Sequence, residues 1–309
     1  MRFTSFQRLA IGTTILTYLL IAVGGLVRAS GAGLGCPDWP RCFGSWIPPA
    51  SAADLPASFD AAQFNAALMW TEYLNRLLGV TLGFAVLATV VSAWRRHRRD
   101  SRIVTASTAA LLLTAFQGWL GGRVVANELA PWIVTVHMLV ALVIVILLQW
   151  AVIESLAPAR PVPTTPDRIR LGWWAWSATL VLLVQVGAGT LVRGRVDDAL
   201  AVFPRDQVLS TVGGMDVVHR GFSMLVGAAV AGLWAWTWAR HGTDRALVRA
   251  ATLALACVVA QLAAGLVLAA FALPPAAQVT HLTVASLLLG ALTTLALVAW
   301  RWPAPRVAH

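Results

Sequence analysis

The sequence predicts an all-α integral membrane protein of eight transmembrane helices, arranged as two four-helix bundles related by a pseudo-twofold axis. Three observations lead there. Of 309 residues, 59% are hydrophobic and only 12% charged, against roughly 25% charged in a soluble domain. The apolar residues fall into eight runs, each near the roughly 20 residues that a helix needs to cross a bilayer. The second half of the chain also repeats the first, and such self-similarity marks a duplicated architecture.

The runs lie near 9–29, 68–94, 104–124, 131–153, 172–193, 213–239, 250–271 and 276–300. The first is too long, and too poor in a clean cleavage site, for a removable signal peptide. All 23 basic residues are arginines, and a formal charge of +10 invites a nucleic-acid reading. Their placement excludes it. Arg2 and Arg8 precede the first run, and Arg95, Arg96, Arg98, Arg99 and Arg102 follow the second. Arg160, Arg168 and Arg170 follow the fourth, Arg240, Arg245 and Arg249 the sixth, and Arg301 and Arg306 the last. These 15 of 23 arginines share one side, which the positive-inside rule makes cytoplasmic; nine of the 13 acids lie towards the other. The expectation is a bacterial-type cell membrane, lipid as the constant partner, both termini cytoplasmic and no nucleic acid.

Across an offset of 144 residues, Arg76 matches Arg220, Gly83 matches Gly227, and Trp94 matches Trp238. Further on, Asp100 matches Asp244, Gln117 matches Gln261, Gly121 matches Gly265, Pro131 matches Pro275 and His137 matches His281. Glu72 and Asp216 match in character, and "GGLVRASG" (24–31) matches "GTLVRGR" (189–195) at a different offset. The organisation read from this is an N-terminal four-helix half (1–153), a Pro-rich cytoplasmic linker (154–171) and a C-terminal four-helix half (172–309). An even helix count sets the halves the same way up. Small residues in "AVGGL", "QGWLGG" and "QVGAG" suit close helix packing. Self-association into a homo-oligomer stays open, because small residues facing lipid and those facing a partner look alike.

The repeat turns scattered histidines into a pattern. His219 and His281 are 62 residues apart, and so are their counterparts Asn75 and His137. All four positions lie within about two turns of the outer helix ends, so each half points two side chains at one another. Ligating residues inside a span are expensive and imply function. A closed zinc site wants four N or S ligands, whereas two opposed imidazoles in an apolar bundle suit haem iron, which takes two axial ligands. Arg28, Arg76, Arg123, Arg193 and Arg220 sit at outer helix ends, positioned to pair with haem propionates; interfacial snorkelling is the competing role. His97 and His241 read as solvated residues of the arginine clusters. Cys36 and Cys42 flank "PDWPR" on the oxidising side, where a disulfide forms readily; it reads either as a structural staple or as a redox-active pair. Cys257 reads as an inert core thiol.

Taken with the paired histidines, "GGLVRASGAGLGCPDWPRCFG" (24–44) and the acid-x-x-His-Arg phrase resemble the haem A synthase family along the whole chain. That family oxidises haem O to haem A for cytochrome oxidase. The resemblance implies a haem b cofactor in the C-terminal half, ligated by His219 and His281 with Arg220 and Arg193 beside it. It implies that haem O binds in the N-terminal half through positions 75 and 137, with Arg28, Arg76 and Arg123 on the substrate side. It implies a catalytic role for Glu72, whose competing role is to sit in the favourable field of a helix N-terminus. It also implies a Cys36–Cys42 loop disulfide near the substrate. The chemistry implied is successive hydroxylation of a ring methyl, the gem-diol losing water to give a formyl group. Partners implied are a haem O synthase, cytochrome oxidase assembly factors and an electron donor that the sequence does not name. The departure is Asn75, where the family pattern has His. Three accounts stay open: an engineered or inactive variant, a natural member whose substrate iron is five-coordinate, or a chain that keeps haem binding without catalysis. The rival class is a non-catalytic membrane b-type cytochrome or haem-delivery protein.

Overall fold

The computed structural model describes residues 3–157 and 165–301. The centre of the expected linker, 158–164, lies outside the described residues, as do Arg2, Arg160 and Arg306. Among the described residues the chain forms nine α-helices: α1 (Ser5–Ala29), α2 (Ala66–Arg96), α3 (Ser101–Ala126), α4 (Pro131–Leu156), α5 (Pro166–Leu200), α6 (Val208–Val212), α7 (Gly214–His241), α8 (Arg245–Ala270) and α9 (Pro275–Arg301). All but α6 are long and apolar enough to cross a bilayer. The molecule is an all-helical, multi-pass membrane protein.

Local chemistry explains where these helices start. Thr4 caps α1 in a capping box with Gln7, and Asn65 caps α2 by accepting from Leu68 N–H; each satisfies donors that a helix start leaves orphaned. The repeat reappears in this detail. Asp100 accepts from the second and third N–H groups of α3, and Asp244 does the same for α8. Pro131 and Pro275 each open the next helix, where a missing N–H costs nothing. The turns before them hold matching residues in the left-handed region, Glu128 and Leu129 in one half and Ala272 and Leu273 in the other. Helix α5 overruns its expected span of 172–193 at both ends. Thr165 caps it at Pro166, and no Gly-Pro break follows until past Leu200. The last residues of the expected linker are therefore helical, and α4 likewise continues to Leu156.

In the first half α1 packs on α2 and α4, and α3 on α2 and α4. In the second, α5 packs on α7 and α9, and α8 on α7 and α9. The halves meet through α1–α9, α4–α5 and α4–α9, with Thr190 Oγ1 donating to Thr135 Oγ1 at 2.8 Å across the seam. Helix α9 is the inner member: 72% of its apolar window is buried, against 22–39% for the other spans. Gly290 lets it sit so deep, since a Cβ there would collide with the Tyr18 hydroxyl from α1 and Gln149 from α4. Elsewhere large apolar side chains such as Phe84, Leu112, Leu180 and Leu225 stand exposed, facing the lipid.

The end opposite the long 30–65 loop is tied by buried ion pairs. Arg168, expected as one more solvated topology charge, is 1% exposed and pairs with Asp244 at 2.5 Å. It also donates to the carbonyls of Val298 and Ala299, so it locks α5 to α8 and α9. Glu154 of α4 takes Arg301 of α9 at 2.8 Å, a link between the halves. His97 and His241, expected in solvent, are half-buried, and the His97 ring lies 4.6 Å from Phe6.

Candidate functional site

The paired positions sit near the loop end of each half, and the repeat-related surroundings match. Gln117 Nε2 donates to the His137 carbonyl at 3.1 Å, and the backbone of Gln261 lies beside His281. A Cβ on Gly121 would touch His137 Cε1 at 3.8 Å, and one on Gly265 would touch His281 Cε1 at 3.6 Å. Both imidazoles therefore rest against a glycine on the preceding helix, at a distance where a Cβ would make ordinary van der Waals contact with the ring. Nδ1 of His137 and of His281 is sealed from solvent and has no hydrogen-bond partner. In the second half, His219 of α7 and His281 of α9 are near enough to interact electrostatically.

His219 is the more firmly held. Gln185 of α5 donates through Nε2 to the His219 carbonyl at 2.8 Å and to Ser223 Oγ at 2.6 Å. The same nitrogen lies 3.1 Å from His219 Nδ1. One turn on, a Cβ at Gly189 would stand 2.9 Å from His219 Cε1. Gln185 and Gly189 thus form a wall against the ring from one face of α5. Sequence reasoning passed over Gln185, although a lone Gln in the apolar run "LVLLVQVGAG" was a signal for it.

Asn75 occupies the matching position of α2, half-buried, with its Oδ1 sealed and unpartnered. One helical turn away, Glu72 is 4% exposed. Its Oε2 accepts from Cys36 N–H at 2.8 Å, and its Oε1 takes Arg76 Nε and Nη2. Arg76 spends its remaining donors on the carbonyls of Cys36, Asp38 and Arg41, at 3.0, 2.7 and 2.8 Å. The five N–H groups of a guanidinium are then all engaged. Arg76, read from the sequence as one of the arginines positioned to pair with a propionate, clamps the outer loop onto α2.

That loop is built to be clamped. The Cys36–Cys42 disulfide forms, with Cα atoms 4.8 Å apart, and both cysteines are fully buried among Phe43 and Met69 with Phe59, Phe64 and Tyr73 around them. Thiol exchange needs access to a sulfur, so burial favours the staple over the redox pair. Gly35 lies so close to α2 that a Cβ would strike the Leu68 carbonyl. Trp39 stacks beneath the Arg76 guanidinium, 4.9 Å from Cζ to the ring centroid. Its ring also fills the space over Gly122 of α3, next to the Gly121 that touches His137. The loop therefore roofs the paired positions of the first half; at the same end of the second half a shorter segment packs α6 against α5 and the α8–α9 turn through Val196, Val208 and Leu273, with Arg205 Nη1 donating to the Leu273 carbonyl at 3.2 Å.

The other arginines divide. Arg28 and Arg193, repeat-related, converge on one carboxylate: Asp197 sits 2.5 Å from Arg28 Nη2 and 2.7 Å from Arg193 Nη2. Arg193 Nη1 also donates to Gln278 Oε1 at 2.7 Å, while Nε of both arginines is unpartnered. Arg220 is half-exposed and, among the described residues, its one ion pair is with Asp216. Arg123 is exposed and has no ionic partner among the described residues. An apolar cleft of about 510 Å³ between α5 and α7, lined by Trp174, Ala178, Val226 and Trp236, carries no ligating side chain and is not this site.

Residues 7–293 match the COX15-CtaA family of cytochrome oxidase assembly proteins. The chain belongs to that family. It is similar along most of its length to proteins named heme A synthase. One from Rhizorhabdus wittichii is 27% identical over 90% of this chain and 89% of the relative. Those from Beijerinckia indica and Shouchella clausii are 26% and 25% identical, over 89% and 84% of this chain and 88% and 85% of the relatives. Among the described residues no group of three or more His, Cys, Asp or Glu could hold a bare metal ion, whereas imidazoles in pairs need only two protein ligands per iron, which fits a flat macrocycle.

Proposed function

We propose that the chain is a haem A synthase, oxidising the ring methyl of haem O to a formyl group to give haem A for cytochrome c oxidase. The observation carrying this is the pair of repeat-related columns, His219 with His281 and Asn75 with His137, in a chain of this family. In this reading the halves are parallel, pseudo-twofold-related bundles with both termini cytoplasmic. His219 and His281 hold haem b, with Arg220 and the spare donors of Arg193 meeting its propionates. His137 ligates the iron of haem O, with Arg123 and the spare donors of Arg28 on its acid groups.

Haem b, when bound, supplies one-electron transfer of a kind that no side chain of this protein offers. Everything else falls to the chain's residues. Gln185 and Gly189 fix the His219 ring. The Glu72–Arg76 pair holds the disulfide loop over the substrate half, and Trp39 closes the roof above Gly122, excluding water from the site. Glu72 keeps a carboxylate one turn from Asn75, where it can hold a proton at the substrate's edge. The substrate comes from a haem O synthase; taking its methyl to a formyl removes four electrons and adds one oxygen, so the reaction draws on dioxygen as oxidant, with an external donor supplying the two electrons that each dioxygen needs beyond those taken from the substrate.

Pigment extraction from the purified full-length chain tests this. Haem O or haem A is expected alongside haem B, with conversion of added haem O. Haem B alone, and no conversion by either the chain or its Asn75→His variant, overturns the reading.

A further inference from the structure

We infer that Asn75 leaves the iron of a haem bound in the N-terminal half open on the face opposite His137, making that half the molecule's diatomic-gas site. The inference rests on the assignment of the substrate haem to that half. Four observations carry it. The repeat puts Asn75 in the column of His219, and a carboxamide is a poor ligand for haem iron. Its Oδ1 is sealed and unpartnered, so no protein group holds the side chain away from the site.

The third observation is space. Gly24 is the repeat counterpart of Gly189, yet a Cβ there meets nothing within 4 Å, whereas one at Gly189 stands 2.9 Å from the His219 ring. The position matching Gln185 is Leu20, so the polar brace on the ligand is gone as well. Fourth, the proximal side is intact. His137 keeps its glycine neighbour and the Gln117 hydrogen bond at 3.1 Å, and among the described residues its Nε2 makes no hydrogen bond. One strong ligand, with an amide of short reach in the repeat-matched column, gives a five-coordinate iron, and the Asn75 amide is the polar group available to the bound gas. Distal polarity and donors of this kind set gas binding to haem. The C-terminal half, closed by His219 and His281, stays six-coordinate and inert to gas.

Carbon monoxide titration of the reduced full-length chain, loaded with added haem O, reads this directly. About one equivalent per chain is expected to bind, together with a high-spin component in the ferric spectrum. Asn75→His should abolish carbon monoxide binding and convert that component to low spin. Asn75→Leu should keep the stoichiometry but release the gas roughly tenfold faster, the loss of about one hydrogen bond. Two low-spin haems that both refuse carbon monoxide overturn the inference, as does binding that Asn75→His leaves unchanged. So does a chain that takes up no second haem. Absence of the low-spin haem on His219 and His281 would instead strike the functional assignment, and it is read from the same spectra.

Discussion

The two halves share helices, caps and turns but handle their shared positions in opposite ways. The C-terminal half spends its polar groups on one histidine: Gln185 and Ser223 brace His219, and Gly189 walls the ring. The N-terminal half spends them on the roof: Glu72 and Arg76 bind the Cys36–Asp38–Arg41 backbone, and position 75 is left with a loose amide. Duplication supplied two equal frames. One holds its histidine tightly and the other is tied down by its outer loop, a difference that the proposed division between cofactor and substrate would use.

The comparison breaks most sharply at the ligands. Replacing His219 or His281 with Ala should abolish the low-spin b-type spectrum, while His137→Ala should remove only the haem O component. Optical spectra of the purified variants decide it. Equal loss from both sets would mean that the halves are assigned the wrong way round.

Next in size are the buried ion pairs. Removing one partner of such a pair strands a charge and costs about 3–5 kcal/mol. Arg168→Leu, which strands Asp244 in the second half, should lower the thermal unfolding midpoint of the whole chain. Arg76→Leu strands Glu72 and three loop carbonyls, so protease should cut within 30–65 while the His219–His281 spectrum persists. If both haem signals vanish together, the loop serves the entire fold and not the first half alone.

These arginines also mark what was legible in the sequence. Eight spans, the duplication and the histidine columns were readable because apolar length and residue spacing are properties of the chain itself. Arg168 and Arg76 were not, because an arginine at a helix end reads the same whether it meets water, a propionate or a buried carboxylate. Only the fold brings Asp244 to Arg168 across 76 residues, or folds residues 36–41 back over Arg76. Asp197 is hidden for the same reason: that Arg28 and Arg193 would share it depends on how the halves pack. Gln185 was visible as an isolated polar residue, but its counterpart Leu20 gives no repeat to draw attention to it.

Gln185 gives the next smaller effect. A group that orients a metal-bound histidine is worth about 10–100-fold in affinity, so Gln185→Leu should weaken haem retention by that factor in the C-terminal half. The low-spin spectrum should survive with a shifted midpoint potential, and Gln185→Asn should restore less than the parent does. Leu20→Gln in the first half should change the potential of the second-half haem not at all. A matched shift from both would mean that Gln185 acts through general polarity and not through its contact with His219.

The smallest effect separates the repeat-related arginines themselves. Arg76 is 9% exposed and fully bonded, whereas Arg220 is 51% exposed and, among the described residues, pairs with Asp216 alone, four residues before it. An exposed i,i+4 pair contributes about 0.3–0.5 kcal/mol, so Arg220→Gln should barely move the unfolding midpoint. If Arg220 meets a propionate of haem b, the same variant should still alter the midpoint potential, because a cation beside an acid group changes the charge near the iron. Stability unchanged with a shifted potential places Arg220 on the cofactor. Stability and potential both unchanged leaves it snorkelling at the interface, and the arginine role would then pass to Arg193 alone.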